Sequence, residues 1–257
     1  MTLSIVNHKG GTGKTTTTVN LGASLARLGL KVLLIDLDAQ GNLGYSLGIA
    51  ETSPTLTEVL FKEVTFEQAL VTREGMDILP GNTSLADLER SLGKVEVPYY
   101  ALRDLLGEYT KKYDYILLDC PPSLSLLTIN ALCASSSIII PLSLEVLSVR
   151  GLEMILNTVK EVQKTLNLSL SVLGILPVLV DKRKNLNTEI LDHIREHHQL
   201  KIFDTHIRAN VKASEAPSFG TSIIHYAPAA TSAQDYIHFA DEFLKTLSTS
   251  NKNYGPR

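Results

Sequence analysis

Two lysines, Lys9 and Lys14, enclose a glycine-rich turn near the amino end of the chain, in the stretch K-G-G-T-G-K-T-T. An apolar run precedes this turn and a helical pattern follows it. Glycines allow backbone N–H groups to close around phosphate oxygens, and the amino end of a helix adds positive charge at the same place. Lys14 can then reach the β- and γ-phosphates of a nucleotide, and the Thr15 hydroxyl can ligate Mg²⁺. The pattern predicts a phosphate-binding loop.

This loop departs from the usual pattern G-x-x-x-x-G-K-[ST] at its first glycine position, which holds His8. A glycine-rich turn with solvated lysines is the alternative, and the setting between a strand and a helix weighs against it. The loop residues predicted to contact the nucleotide are Lys9, Gly10, Gly11, Thr12, Gly13, Lys14, Thr15 and Thr16.

Aspartates end two further apolar runs. Residues 32–35 lead into Asp36 and Asp38, and residues 115–118 lead into Asp119. Ligands of open parallel sheets bind at the carboxyl ends of the strands, so these acids are expected near the glycine-rich loop. An aspartate in the position of Asp119 can hold the hydration shell of Mg²⁺ through hydrogen bonds.

The elements that must position these residues follow from the hydrophobic pattern. Several apolar runs are nearly unbroken, which is typical of strands buried on both faces of a parallel sheet, and helical patterns lie between them. This alternation predicts a single doubly wound α/β domain, with a mostly parallel sheet flanked by helices, over residues 1–247, and a flexible polar tail over residues 248–257. The predicted strands are 3–6, 32–35, 78–79, 115–118, 138–140, 172–176 and 223–224, and the predicted helices 15–28, 99–111, 124–134, 152–166, 187–197 and 233–247.

Composition limits the classes of function. The 257 residues carry a formal net charge of −3, whereas a protein that coats nucleic acid over its whole surface is usually strongly basic, so any nucleic-acid contact must come from a local patch. Cys120 and Cys133 are too few for a disulfide framework or a zinc site, and we expect buried, reduced thiols. No signal-peptide pattern and no apolar stretch of membrane-spanning length is present, which predicts a soluble cytoplasmic protein.

Lys9 is the residue that an ordinary phosphate loop does not need. With it, the loop resembles that of the deviant Walker A ATPases, the ParA/MinD superfamily of P-loop NTPases. The resemblance implies an ATPase that uses Mg²⁺ and forms a homodimer when ATP is bound. It also implies that Lys9 reaches across the dimer to the partner's phosphates, where a cation supplied in trans stabilises transition-state charge. The alternative is a solvated surface lysine.

Residues 36–42, D-L-D-A-Q-G-N, resemble switch I of the superfamily, D-x-D-P-Q-G-N. The resemblance implies that Asp38 orients or activates the attacking water and that Asp36 supports the magnesium region. A strand-end carboxylate that caps the segment of Asn42 is the alternative for Asp36. Ala39 replaces the usual proline, which leaves the acid in place and is expected to loosen the loop.

The stretch D-C-P-P that begins at Asp119 resembles the D-x-P-P before switch II. The implied catalytic residues are therefore Lys9, Lys14 and Asp38, and the implied metal-site residues are Thr15, Asp36 and Asp119. Residues 145–150, E-V-L-S-V-R, resemble the MinD branch more than typical ParA. This implies that Glu145 contacts ribose across the dimer, and an ordinary acid at a helix amino end is an equally good alternative.

Residues 207–220 closely resemble a stretch of the chromosomal, Soj-like ParA proteins, I-P-R-N-V-R-L-S-E-A-P-S-x-G. Lys212 stands where the family has a DNA-contacting arginine, and it keeps the charge without the guanidinium fork. Residues 181–186, D-K-R-K-N-L, resemble the family's D-x-R-T-x-L, whose arginine also contacts DNA. A solvated charged loop is the alternative for this run. The predicted DNA-binding residues are Lys182, Arg183, Lys184, Arg208 and Lys212.

Three functions compete at this stage: a DNA-partitioning ATPase, a MinD-like membrane-associated positioning ATPase, and a metabolic or metallocluster relative such as a nitrogenase iron protein or a cobyrinate-type amidase. Residues 232–245 hold three acids and one lysine, unlike a basic membrane-binding helix. The cysteine spacing does not suit a shared iron–sulfur cluster. The favoured prediction is a nucleoid-associated ParA-type ATPase. Its implied partners are non-specific DNA and an activating protein of ParB or adaptor type, with no membrane contact, and the motifs do not identify the cargo.

Overall fold

The computed structural model describes residues 1–181 and 186–252. The strands are β1 (Thr2–Ile5), β2 (Val32–Asp36), β3 (Val71–Arg73), β4 (Met76–Leu79), β5 (Tyr115–Asp119), β6 (Ser137–Ser143) and β7 (Ser171–Val178). The helices are α1 (Lys14–Arg27), α2 (Asn42–Ser46), α3 (Leu56–Leu60), α4 (Phe66–Ala69), α5 (Leu85–Leu92), α6 (Ala101–Leu106), α7 (Leu126–Ala134), α8 (Val146–Thr165), α9 (Leu186–His198), α10 (Val211–Glu215), α11 (Ile223–Tyr226) and α12 (Thr231–Lys252). A short 3₁₀ helix, Ala216–Phe219, follows α10 directly.

The strands form one sheet in the order β3-β4-β2-β5-β1-β6-β7. β3 runs antiparallel to β4, and the other neighbouring pairs are parallel, which confirms the predicted doubly wound α/β fold. Side chains of one strand alternate between two hydrophobic clusters, so one cluster lies on each face of the sheet. α1 and α12 pack on one face, and α5 to α9 contribute to the other.

Three parallel strands bring the predicted site residues to one edge of the sheet. β5 lies between β1 and β2, and the register pairs Asp119 with both Ile5 and Asp36. The chain leaves β1 into the glycine-rich loop, leaves β2 into residues 37–42, and leaves β5 into the double proline. The carboxyl ends of these strands therefore surround the amino end of α1, as the strand-end acids predict.

The predicted strand at residues 223–224 is wrong, because these residues begin helix α11. Ser222 caps this helix, with its hydroxyl accepting a hydrogen bond from the backbone N–H of His225. Ile223 and Ile224 are buried in the cluster that contains α1 and α12. A buried apolar pair does not distinguish a strand from a helical turn, and the serine cap decides for the helix.

The element boundaries differ from the prediction at other places. The edge strand β3 is not predicted, because its three residues are exposed or half-buried and carry no apolar run. α6 is shorter than the predicted helix 99–111, and α12 continues to Lys252, past the predicted end of the domain at residue 247. Among the helices of residues 1–181 and 186–252, none has the length and apolar character needed to cross a membrane.

Candidate nucleotide-binding site

The glycine-rich loop connects β1 to α1 and leaves the amino end of that helix open. Gly13 precedes the helix in a left-handed conformation, with φ of 72°, and no side chain caps the first turn. A β-carbon built on Gly10 or Gly11 meets nothing within 4 Å, so the loop faces open space. The unpaired N–H groups that begin every α-helix are thus available to an anion. This geometry fits phosphate oxygens.

The two lysines of the loop lie in different environments. Lys14 is only 7% exposed, and its Nζ donates a hydrogen bond to the backbone oxygen of Lys9 across the loop, at 3.2 Å. Burial lowers the pKa of Lys14, and the Asp119 carboxylate opposes this shift. The Lys9 side chain is 39% exposed and its Nζ pairs with Glu145 Oε2 at 2.5 Å. One lysine therefore points into its own loop, and the other leaves it.

Helix α1, which follows the glycine-rich loop, holds the Asp119 carboxylate. Its two carboxylate oxygens accept hydrogen bonds from Thr15 Oγ1 at 2.6 Å and from Thr18 Oγ1 at 3.2 Å. Asp119 is fully buried, and burial raises its pKa to about 7. Thr15 and Asp119, which the sequence predicts as metal-site residues, are thus in direct contact. Thr18 was not predicted, although it lies on the same helix face as Thr15, one turn further on.

Asp36 organises the loop that follows β2. One carboxylate oxygen accepts from the backbone N–H of Asp38 at 3.0 Å, and the other accepts from the N–H of Leu43 at 3.1 Å. Asp36 is fully buried, and burial together with the nearby Asp119 raises its pKa above the usual range. These bonds agree with the alternative prediction of a carboxylate that caps the segment of Asn42. The metal-site role of Asp36 stays a prediction.

Asp38 lies at the start of the same loop and is half-buried. Its Oδ1 accepts a hydrogen bond from the backbone N–H of Gln40, at 3.0 Å, which orients the carboxylate. Because Asp36 fixes the backbone of Asp38, the position of the second acid depends on the first. The structure therefore brings Lys14, Thr15, Asp38 and Asp119 to one edge of the sheet, around the open helix end.

The predicted DNA-contacting residues are described only in part. Lys182, Arg183 and Lys184 lie outside the described residues. Lys212 is on the short helix α10, with a side chain 53% exposed, and its Nζ pairs with Glu215 of the same helix at 2.8 Å. Arg208 is paired with Asp235.

Arg208 makes a two-pronged ion pair with Asp235 of α12. Its Nη2 donates to Oδ1 at 2.6 Å and its Nε to Oδ2 at 2.9 Å, and its backbone N–H donates to the same carboxylate. Asp235 is only 6% exposed. The sequence motif does not reveal this partner, because the two residues are distant in the chain. The guanidinium of Arg208 thus attaches its segment to α12. A contact of Arg208 with DNA stays a prediction.

The two cysteines are buried in the protein. Cys120 and Cys133 are free and buried, which confirms the prediction of buried thiols. Burial raises the pKa of Cys120 to about 12 and that of Cys133 to about 11. Among residues 1–181 and 186–252, no group of three or more histidine, cysteine, aspartate or glutamate side chains is arranged to hold a metal ion.

Comparisons with known proteins agree with this geometry. The family model described as AAA domain matches residues 1–172. The chain is 41% identical to the sporulation initiation inhibitor protein Soj of Bacillus subtilis over 244 residues, which cover 93% of this chain and 96% of that protein. It is 39% identical to the chromosome partitioning protein ParA of Caulobacter vibrioides over 248 residues, 94% of this chain and 93% of that protein.

A solved structure extends the comparison to three dimensions. The cobyrinic acid a,c-diamide synthase of Mycobacterium smegmatis with bound ADP and magnesium superimposes with a TM-score of 0.85 and 34% identity, over 97% of this chain and 96% of that one. The likeness therefore extends over nearly the whole length of both chains.

Proposed function

We propose, since the chain belongs to the family of the Soj and ParA partitioning ATPases, that it hydrolyses ATP with Mg²⁺ and uses this cycle to position a cargo on DNA. The observation that carries the proposal is the difference between the two lysines of one loop. Lys14 is buried against its own backbone, and Lys9 leaves the loop with an exposed side chain. A lysine directed out of its own loop is available to a nucleotide bound by a second copy of the chain.

The residues at the open helix end fit ATP and magnesium. Lys14 and the backbone N–H groups of the loop would bind phosphate oxygens, and Thr15 would ligate Mg²⁺ while Asp119 orients its water ligands. The solved relative from M. smegmatis binds ADP and magnesium. Bound magnesium would neutralise phosphate charge, and it would favour the charged form of the buried Asp119. Asp38 would orient the attacking water, with its backbone held by Asp36.

Lys9 would act on a second copy of the chain. In the sandwich dimer it exchanges Glu145 for the γ-phosphate of the nucleotide bound by the partner, so the dimer depends on ATP rather than ADP. An exposed ion pair contributes little to stability, so Glu145 releases the lysine at low cost. The same cation would stabilise the charge that develops during phosphoryl transfer.

Dimerisation would create the DNA-binding surface. Each chain contributes Lys212, and the cationic run Lys182 to Lys184 would add to it. Two copies on one surface double the number of phosphate contacts, which makes DNA affinity dependent on ATP and on salt. Hydrolysis, stimulated by a partner protein of ParB or adaptor type, would then separate the dimer and release DNA. The protein would thus be found in the cytoplasm on the nucleoid.

The MinD-like alternative needs a terminal helix whose apolar face is available to lipid. In this chain the apolar side chains of α12 are used by the core: Tyr236, Phe239 and Phe243 are at most 1% exposed and belong to the cluster that contains α1. This packing favours DNA over a membrane as the surface on which the protein works.

The experiment is binding to non-specific duplex DNA with ATP, with ADP and without nucleotide, across a salt series. Binding that is tight only with ATP and weakens steeply with salt is the expected result. Lys9→Ala should lose the tight binding that depends on ATP. Lys94→Ala is the matched control, because Lys94 follows α5, which packs on the face of the sheet opposite to α1. Absence of DNA binding in every nucleotide state would contradict the proposal, and anionic liposomes would then be tested.

A further inference from the structure

The backbone meets itself at two glycines that are far apart in the chain. Gly48 follows α2, and Gly220 follows the 3₁₀ helix Ala216–Phe219; both have φ of 63°. A β-carbon on Gly220 would lie 2.8 Å from the Cα of Gly48, and one on Gly48 would lie 3.3 Å from the Cα of Gly220. Only glycine permits both the left-handed conformation and this approach. We call this the glycine contact.

One side of the glycine contact leads to the nucleotide site. The loop after β2 carries Asp38 and continues into α2, where the N–H of Tyr45 donates to Gly41 and the N–H of Gly48 donates to Tyr45. The Asp36 carboxylate also accepts a hydrogen bond from the N–H of Leu43 in α2. Backbone hydrogen bonds thus connect the Asp38 loop to α2 and to the chain at Gly48.

The other side leads to the proposed DNA contact. α10, which carries Lys212, runs without a break into the 3₁₀ helix that Gly220 ends, and the N–H of Gly220 donates to Pro217. Just beyond the glycine, Thr221 and Ser222 both donate to Glu74, which fixes that end of the segment. The segment is thus anchored after Gly220 by Glu74 and before α10 by the ion pair of Arg208 with Asp235, so that Lys212 lies between two fixed points.

Packing supports the glycine contact from inside. Leu47, which directly follows α2, and Ala216 of the 3₁₀ helix are 1% and 2% exposed and belong to the same hydrophobic cluster. Close-packed side chains transmit a displacement instead of absorbing it. The two segments therefore approach each other through backbone at the glycine contact and contribute to one hydrophobic cluster beneath it.

We propose that Gly48 and Gly220 are positioning residues that couple the Asp38 loop to the Lys212 helix, so that the nucleotide state sets the orientation of the DNA contact within each chain. This coupling rests on the proposed function and adds to it, because dimerisation alone changes only the number of DNA contacts. By linkage, DNA bound at Lys212 would also change the affinity for nucleotide by the same factor.

The test compares three alanine variants of glycines with positive φ. Gly48→Ala and Gly220→Ala disturb the contact, with Gly48→Ala the milder of the two. Gly29→Ala is the matched control, because Gly29 has φ of 81° and a β-carbon there meets nothing within 4 Å. Hydrogen exchange of residues 211–221 is measured with ADP and with a non-hydrolysable ATP analogue, and DNA affinity is measured in the same states.

We expect the analogue to change the exchange rates of residues 211–221 by about threefold or more in the unchanged protein and in Gly29→Ala, and by much less in Gly48→Ala and Gly220→Ala, while nucleotide affinity stays the same. An equal change in all four proteins, or none in the unchanged protein, would overturn the coupling. Thermal unfolding identifies a variant that fails to fold, and Gly48→Ala then decides alone. Failure of the proposed function would appear separately, as absence of DNA binding by the unchanged protein.

Discussion

The nucleotide site and the segment of residues 208–220 place their charges in opposite ways. Lys14, Asp36 and Asp119 are at most 7% exposed, and each is held by hydrogen bonds to the backbone or to α1. Lys212 is 53% exposed and pairs with a residue of its own short helix. In the first region the fold determines where each charge lies. In the second region the charge lies at the surface, where the proposed function would use it to bind DNA.

This difference explains where the chain departs from its family's motifs. A phosphate of DNA is bound by a nearby cation. Lysine supplies the same charge as arginine but lacks its planar guanidinium fork. In the proposed function, Lys212 would therefore supply the positive charge without the planar fork. Arg208 shows the opposite case within the same segment, because its guanidinium serves the ion pair with Asp235. Substitutions should thus have their largest effects at the buried edge of the sheet.

The largest effect is expected from Asp38→Ala. Removal of the carboxylate that is proposed to orient the attacking water should lower kcat for ATP hydrolysis by about 100-fold or more, whereas ATP binding and the ATP-dependent dimer should persist. Phosphate release and nucleotide affinity measure the two quantities, with Asp241→Ala as an exposed control. Rapid turnover by the variant would remove Asp38 from the mechanism.

Arg208 and Asp235 test whether a charge in the 208–220 segment is structural. Each single alanine substitution should lower the free energy of unfolding by about 1–2 kcal/mol, because it leaves the other member of a partly buried pair without its partner. The double variant should be about as stable as either single one. Urea denaturation measures these values. If the two single effects add fully, the ion pair contributes nothing measurable.

Lys212→Ala should affect DNA and nothing else. We expect DNA affinity in the ATP state to fall by about tenfold at low salt, and the slope of log Kobs against log salt to become shallower by about one unit for each chain of the dimer. ATP hydrolysis and the unfolding midpoint should not change, and Lys94→Ala should leave both the affinity and the slope as they are. Loss of the dimer in the Lys212 variant would make the residue structural.

Glu145→Gln should give the smallest change. The exposed pair with Lys9 competes with the proposed reach of Lys9 across the dimer, so its removal should strengthen ATP-dependent dimerisation by about two- to threefold. Analytical ultracentrifugation with an ATP analogue measures the change. A weaker dimer would instead favour the predicted contact of Glu145 with ribose in trans.

Motifs and buried strands could be predicted from the sequence because both are local patterns. The glycine-rich loop, Asp36 and Asp119 each end a nearly continuous apolar run, and a parallel sheet brings such ends together. The strand prediction failed at residues 223–224, where the apolar run is too short to show a period. It also failed at β3, whose exposed residues show no hydrophobic pattern.

Contacts between distant segments could not be predicted in the same way. Lys9 with Glu145, and Arg208 with Asp235, join residues that lie 136 and 27 positions apart, and neither pair forms a sequence motif. The glycine contact is of the same kind. The approach of Gly48 to Gly220 depends on how two short helices pack on one face of the sheet.

The position of β1 in the sheet has a consequence for the order in which the protein can form during synthesis. β1 is made early but pairs with β5 and β6, which are made more than a hundred residues later. The phosphate loop that follows β1 can therefore take its final shape only after residues 137–143 have left the ribosome. Until residues 115–119 have emerged, both edges of this apolar strand are unpaired, and until residues 137–143 have emerged one edge remains unpaired; such edges promote aggregation.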